Sequence, residues 1–139
     1  MFLLDTDILS LIELAKPRVL ERLNRIDPSE VTTTVITRIE MLRGRFDSVL
    51  KAANAAELLK AQKRLAQTEQ LLDELDIVTI DSAAAVEFDK LRENKKLKKI
   101  GRGDLLIACI ALAQRATLVT RNVSHFQMIP GLKLENWAD

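Results

Sequence analysis

The 139-residue sequence predicts an α/β domain in which a short, mainly parallel sheet of four or five strands is flanked by helices. Short apolar or β-branched segments alternate along the chain with longer helical patterns, as in parallel sheets that are covered on both faces. Glycine and proline are scarce, and no Ser/Gly-rich linker or internal repeat divides the chain. We therefore expect a single domain that spans residues 1–139.

The first part of the chain contains two predicted strands, each followed by helical sequence. Phe2–Leu4 is apolar and Val31–Thr33 is β-branched throughout, which favours extended backbone. The helices expected here are Ile8–Ala15, Pro17–Ile26, whose proline suits the first helical position, and Val35–Arg43, which Gly44 is expected to end.

The second part begins with a long segment, Ala52–Leu75, that is rich in strong helix formers. Its apolar positions recur on one stripe, which indicates one or two amphipathic helices. The stripe consists of Leu58, Leu65, Leu72 and Leu75. Two predicted helices follow, one capped by Asp81 or Ser82 and reaching about Lys96, the other opened by Gly103 or Asp104. The predicted strands are Ile77–Ile80, Leu118–Val119 and a short last strand near Lys133–Glu135.

The single histidine and the single cysteine exclude several kinds of catalytic site. His125 alone cannot supply the paired imidazoles of an acid–base ribonuclease, and together with Cys109 it cannot complete a Cys/His zinc site. No nucleophile-elbow sequence and no glycine-rich phosphate loop is present. Because tyrosine is absent, a base-stacking platform is also poorly supplied. Carboxylate chemistry remains.

The same residue counts bear on the compartment. A lone cysteine forms no disulfide within the chain, which suits a reducing cytosol. No apolar run approaches the roughly 20 residues that cross a bilayer, and the first residues lack the basic region of a signal peptide. We expect a cytoplasmic protein with no membrane partner.

Three acids are placed to converge at one edge of the predicted sheet. In parallel α/β sheets the site lies beyond the carboxyl ends of the strands. Asp5 directly follows the first strand, Glu40 lies about two turns into the helix after the second, and Asp104 begins the helix before the fourth. Hydroxyl and amide side chains expected at the same edge are Thr34, Thr120 and Asn122.

Each acid also has a simpler interpretation. Asp5 and Asp104 suit helix N-caps, and Glu40 suits a solvated helix face. Three carboxylates in one cleft repel one another, and a hard divalent cation with oxygen ligands removes that cost. The three acids together therefore predict a site for Mg²⁺, with Mn²⁺ as a substitute. At such a site, metal-bound water can hydrolyse a phosphodiester bond without a histidine.

The positive charge of the chain is concentrated in one segment. The net charge is only +1, yet residues 90–102 hold seven basic side chains against one acid, Glu93. This basic segment either attracts a phosphate backbone or forms a solvated helix end whose dipole favours cations. Its basic residues are Lys90, Arg92, Lys95, Lys96, Lys98, Lys99 and Arg102.

With these residues placed, the sequence resembles the PIN-domain family and, within it, the VapC-like toxins of type II toxin–antitoxin systems. FLLDTDILS is similar to the first family motif, an apolar strand followed by Asp-Thr-Asn, with Asp5 as catalytic acid and Thr6 as hydroxyl. TTVITRIEMLRG resembles the second motif, GRGDLLIACIALAQ the third and TLVTRNVSHF the closing motif. The tail PGLKLENW also fits, so the resemblance spans nearly the whole chain.

The resemblance implies a PIN-like three-layer fold and assigns site residues. Asp5, Glu40 and Asp104 would be catalytic metal ligands and Asn122 a further catalytic residue. Two positions depart from the family pattern: Asp7 replaces the usual asparagine, and Asn122 replaces a frequent fourth aspartate. We expect one ion to bind well and a second only together with RNA phosphate. Residues in supporting roles would be Thr6, Thr34, Thr120 and Asp7.

The resemblance also implies a biological role: an endoribonuclease that cuts tRNA or another structured RNA and so inhibits translation. It implies a homodimer, neutralised by a cognate antitoxin that covers the site. The leucine stripe is either core or a docking surface for one of these partners. Candidate RNA contacts are Arg43, Arg45, Lys98, Lys99 and Arg102.

Two other functions remain open at this point. The first is a PIN-like module that binds RNA or protein without cutting. The second is a phosphatase of the haloacid dehalogenase type, with Asp5 as nucleophile and Asp7 as acid/base. The second is disfavoured because Ala108 stands four residues after Asp104, where a further acid would be required.

Overall fold

Five short strands form one wholly parallel sheet in the computed structural model, which describes residues 1–139. All five predicted strands are present, and only the third differs noticeably, beginning one residue earlier and ending two residues earlier than predicted. The strand order is β3-β2-β1-β4-β5. The strands are β1 (Phe2–Leu4), β2 (Val31–Thr34), β3 (Asp76–Val78), β4 (Thr117–Val119) and β5 (Lys133–Glu135).

Seven α-helices and two short 3-10 turns connect the strands. No helix combines the length and the apolar character that a membrane span requires. The helices are α1 (Thr6–Glu13), α2 (Pro17–Asn24), α3 (Val35–Leu50), α4 (Ala55–Asp73), α5 (Ser82–Arg92), α6 (Arg102–Gln114) and α7 (Val123–Phe126), and the 3-10 turns are Pro28–Glu30 and Lys95–Leu97.

The apolar side chains of β1 and β4 point alternately to two separate cores. Leu3 and Leu118 are completely buried in a core formed with α5, α6 and α7. Leu4 and Val119 are equally buried in a second core, formed with α1, α2 and α4. Because successive strand residues point to opposite faces, the sheet is covered on both sides, and the expected three-layer α/β architecture is confirmed.

Gly44 does not end α3, so this part of the prediction was wrong. The helix continues through the glycine to Leu50 and packs against α4. A glycine inside a helix costs only about 1 kcal/mol relative to alanine, which helix–helix packing readily offsets. The helix after Asp81 likewise ends at Arg92, four residues short of Lys96, and a separate 3-10 turn follows.

The site position follows from the strand order. From β1 the chain moves to β2 and β3 on one side of the sheet, and it later returns to β4 and β5 on the other. Ligands bind at such a reversal, beyond the carboxyl ends of the two central strands. Here those ends carry Asp5 and Thr120, and the Asp5 amide donates to the carbonyl of Val119 at 3.1 Å.

Candidate functional site

Asp5 is buried at the point where β1 passes into α1. It caps the helix, because its Oδ1 accepts a hydrogen bond from the Ile8 amide at 3.0 Å, and the residue is only 7% exposed. Burial raises the pKa of its carboxyl to about 6, and the negative charges of Asp7 and Asp104 add to this. Hydrogen bonds from Thr120 and from the Ile8 amide oppose the shift. Asp5 is therefore both a helix cap and a strained buried carboxylate.

Glu40 is brought to the same edge by α3. Thr34 caps this helix through a bond from the Thr37 amide to its Oγ1 at 3.1 Å. Glu40 then accepts the Thr6 hydroxyl through Oε1 at 2.8 Å, although the residue is exposed. The Thr37 hydroxyl lies 3.3 Å from that of Thr6. Sequence reasoning missed Thr37, but its spacing three residues before Glu40 puts it on the same helical face.

Asp104 lies in the first turn of α6 but does not cap the helix. Gly101 occupies the N-cap position, so neither Gly103 nor Asp104 opens the helix as predicted. Oδ2 of Asp104 instead lies 3.1 Å from Nε2 of His125. This contact was not predicted from the sequence, and the neighbouring Phe126 is buried in the core.

The three acids are joined through their sequence neighbours rather than directly. Glu40 bonds to Thr6, next to Asp5, and a Cβ at Gly103, next to Asp104, would lie 3.1 Å from Glu40 Oε2. Gly103 therefore leaves room for the Glu40 carboxylate beside Asp104. The sheet edge thus gathers all three predicted acids.

Their side chains, as placed, do not form a ligand set. No group of three or more His, Cys, Asp or Glu side chains has an arrangement that holds a metal ion. Glu40 and Asp104 face Thr6 and His125 instead. The donors nevertheless fit a hard divalent cation, because they are carboxylate oxygens and a nearby cation would relieve the electrostatic cost at Asp5.

The segment after β4 connects the acids to the basic segment. Thr120 is fully buried, and its hydroxyl accepts the Asn122 amide at 3.0 Å. Asn122 and His125 line a cavity of about 600 Å³ on the side of the sheet that carries α7. The cavity is also lined by four lysines, Lys95, Lys96, Lys98 and Lys99, and we call it the lysine pocket.

The predicted RNA contacts separate into two groups. Lys98 and Lys99 are exposed in the lysine pocket, and the Arg102 guanidinium lies over the ring of Phe88, 5.0 Å from its centroid. Arg43 is exposed on α3. All four can meet a polyanion.

Arg45 is different, because its guanidinium already has partners within the protein. Its Nη2 lies 3.3 Å from Glu13 Oε1, and its Nε donates to Thr68 Oγ1 at 3.0 Å. Only 19% of the side chain is exposed. Because α3 continues past Gly44, it carries Arg45 into the groove between α1 and α4.

The leucine stripe of α4 is partly core. Leu72 is buried and Leu65 half-buried, whereas Leu58 is 45% exposed.

Asp7 is exposed in the first turn of α1, close enough to raise the pKa of Asp5.

The structure defines a class of protein: an α/β domain with a short all-parallel sheet and acids gathered where the strand order reverses. Sequence comparison assigns the chain to a family of the same kind. Residues 2–129 match the sequence model of the PIN domain, so the chain belongs to the PIN-domain family. It is similar to Ribonuclease VapC1 of Haemophilus influenzae strain R2866, with 28% identity over 99% of this chain and 98% of the relative. It is also 26% identical to the tRNA(fMet)-specific endonuclease VapC of Salmonella typhimurium strain LT2, over 99% and 98% of the two chains.

Solved structures show the same relationship. The crystal structure of VapBC2 from Rickettsia felis, bound to a DNA fragment from its promoter, contains a chain that matches with a TM-score of 0.78. The identity to that chain is 28%, and the match covers 98% of each chain.

Proposed function

We propose that this protein is a metal-dependent endoribonuclease, the toxin of a type II toxin–antitoxin module, which hydrolyses RNA phosphodiester bonds. The observation that carries the proposal is the buried carboxylate of Asp5, held at the reversal point of the sheet with Asp104 and Glu40 beside it. A fold that needed Asp5 only as a helix cap would gain nothing from adding other acids at this edge. A cation site explains why the acids are together.

Asp5, Glu40 and Asp104 would hold the ion, which we propose to be Mg²⁺ in the cell, with Mn²⁺ as a substitute. When bound, such an ion lowers the pKa of coordinated water and stabilises charge on the transferring phosphoryl group. Glu40 is exposed, so its carboxylate is free to leave Thr6, whereas Asp104 faces His125 through Oδ2 only and keeps its other oxygen for the ion. With only three acidic ligands, a second ion binds only together with RNA phosphate.

The remaining residues of the edge position the acids and the substrate. Thr120 donates to Asp5 and accepts from the Asn122 backbone, which ties Asn122 to the acid. Thr6, Thr34 and Asp7 support the edge from α1 and α3. Asn122 lines the lysine pocket, where it would meet the RNA backbone that the lysines attract.

The names of the relatives suggest the substrate and the partners. Two are called tRNA(fMet)-specific endonucleases, and we propose tRNA or a similarly structured RNA as the substrate here. The solved relatives include VapBC2 of Rickettsia felis, VapBC-1 of Haemophilus influenzae and FitAB bound to a DNA fragment. We infer that this chain likewise forms a homodimer and binds a cognate antitoxin that covers the site.

Incubation of the purified protein with total RNA and Mg²⁺ tests the proposal. We expect discrete fragments with 5′-phosphates, since the attacking group is water and the ribose 2′-hydroxyl takes no part. EDTA, Asp5→Asn and Asp104→Asn are each expected to abolish them. Fragments that persist in these variants, or fragments with cyclic phosphate ends, would refute the mechanism.

The same assay separates the two alternatives. A non-catalytic PIN-like module would retain RNA without producing fragments at any Mg²⁺ concentration. A phosphatase of the haloacid dehalogenase type would lose its activity in Asp7→Asn, whereas the nuclease keeps its activity because Asp7 is exposed and supplies only charge near Asp5.

A further inference from the structure

Three basic side chains that the proposed site does not use surround a second pocket at the carboxyl edge of the sheet. Lys16 is the N-cap residue of α2, Arg18 lies in the first turn of that helix, and Arg121 lies two residues after the end of β4. The cavity has a volume of about 350 Å³. Its remaining walls are mostly apolar, formed by Leu11, Pro17, Val19 and Ala138. It is called the Arg121 pocket below.

The positive charge of this pocket is almost uncompensated. Neither Lys16 nor Arg18 lies within 4.0 Å of an acidic oxygen, and both are exposed. Arg121 has only Asp139, at 3.9 Å, and both of these side chains are more than half exposed. A long, exposed ion pair of this kind contributes little and gives way readily to another anion.

The next two arginines, Arg22 in α2 and Arg25 at its C-cap, provide a contrast. Arg25 is paired with Glu21 at 2.7 Å, and Arg22 lies 3.6 Å from Glu135. Arg22 and Arg25 line a neighbouring cavity together with Arg18, but of the three only Arg18 also lines the Arg121 pocket and has no acidic partner.

The two pockets lie on opposite faces of the sheet, one on each side of the acids. Arg121 and Asn122 are consecutive residues, yet Arg121 lines the pocket on the side of α1 and α2, whereas Asn122 lines the lysine pocket on the side of α7. Thr120, directly before them, bonds to Asp5. An RNA strand bound to both pockets would therefore cross the sheet edge that carries the acids.

We propose that the Arg121 pocket binds phosphates of the RNA strand on the far side of the scissile bond from the lysine pocket. This inference rests on the proposed function, which identifies the polyanion as RNA. Two guanidinium groups suit the ligand, because the planar fork of arginine binds phosphate oxygens in pairs. The apolar walls leave the phosphates few competing polar groups. RNA is thus held on both sides of the bond to be cut.

Binding of a fluorescein-labelled 16-nucleotide oligouridylate, followed by fluorescence anisotropy in EDTA, tests the pocket without cleavage. We expect the double variant Arg18→Glu, Arg121→Glu to weaken binding by about tenfold or more, because two charge-assisted contacts are lost. The slope of log K against log salt should fall by about 1.4, since each contact with a single strand contributes about 0.7.

The matched control is Arg22→Glu, Arg25→Glu, which changes the net charge of the protein by the same amount at arginines that do not line the Arg121 pocket. We expect it to weaken binding by no more than about twofold, because charges that are exposed and already paired contribute little. Arg18→Lys, Arg121→Lys keeps the positive charge but not the planar fork, so its affinity should fall between those of the unchanged protein and the glutamate variant. Unfolding midpoints by circular dichroism verify that each variant is folded.

Equal losses in the pocket variant and in the matched control would overturn the proposal, as would undetectable RNA binding by the unchanged protein. The cleavage assay with Mg²⁺ is read separately. Binding that depends on Arg18 and Arg121 without cleavage supports the pocket and refutes the nuclease. Cleavage by the unchanged protein, together with unaltered RNA binding in the Arg18→Glu, Arg121→Glu variant, supports the nuclease and refutes the pocket.

Discussion

The buried charge of Asp5 makes an unusual stability prediction: removing the proposed catalytic acid should stabilise the metal-free protein. Burial raises the Asp5 pKa from 3.8 to about 6, so ionising it is harder in the folded than in the unfolded chain. A difference of about two pKa units corresponds to about 3 kcal/mol. The stabilisation of the folded state by the protonated Asp5 carboxyl is fully present below about pH 4, and it is lost as the pH rises through about 6.

Asp5→Asn keeps the size and the capping ability of the side chain but not its charge. In EDTA at pH 7.5 we expect it to raise the free energy of unfolding by about 2–3 kcal/mol. That is roughly 7–10 °C in the unfolding midpoint for 139 residues, at about 2.1 cal/mol/K of unfolding entropy per residue. At pH 4 the difference should be close to zero. Urea unfolding at several pH values measures both quantities.

Two controls make this test specific. Asp5→Ala also removes the charge but leaves the Ile8 amide without its acceptor, so it should be less stable than Asp5→Asn. Asp27, which is fully exposed, has its pKa lowered by hydrogen bonds from Ser29, so its contribution to stability is lost as the pH falls. Asp27→Asn should therefore not raise the free energy of unfolding at neutral pH. An Asp5→Asn protein no more stable than the unchanged one at pH 7.5 would refute the reasoning.

Three further predictions concern other contacts of the site. His125→Ala should weaken Mn²⁺ binding about tenfold by calorimetry, because Asp104 loses the group that orients it, and His125→Gln should restore part of the affinity. Asp7→Asn should retain RNA cleavage in the Mg²⁺ assay, and its loss would favour the phosphatase. Arg45→Ala should cost about 2 kcal/mol in urea unfolding, since Glu13 loses a charged partner, while RNA binding in EDTA stays unchanged.

The strands and the candidate acids were predictable because their signals are local. Phe2–Leu4 and Lys133–Glu135 form strands with the predicted bounds. The convergence of Asp5, Glu40 and Asp104 followed from a general property of parallel sheets, whose strands present their carboxyl ends at one edge. No long-range contact had to be known for this step.

The errors arose where a distant contact outweighs a local preference. A glycine penalty of about 1 kcal/mol predicted the end of α3 at Gly44, but packing against α4 exceeds it. The ion pair of Arg45 was not predicted either, because no residue near Arg45 in the sequence indicates Glu13, 32 residues away. The Asp104–His125 contact and the basic Arg121 pocket likewise join residues that are far apart in the chain.

The sequence by itself determined that this protein is an α/β domain with three acids at one sheet edge. Hydrophobic periodicity and strand ends depend on residues that are adjacent in the chain. Only the tertiary structure decided how those acids are held: Asp5 buried with its pKa raised, Glu40 bonded to Thr6, and Asp104 facing His125. It also decided which basic residues are free. Side-chain partners and desolvation depend on what the folded chain brings within a few ångströms, and no local pattern encodes that.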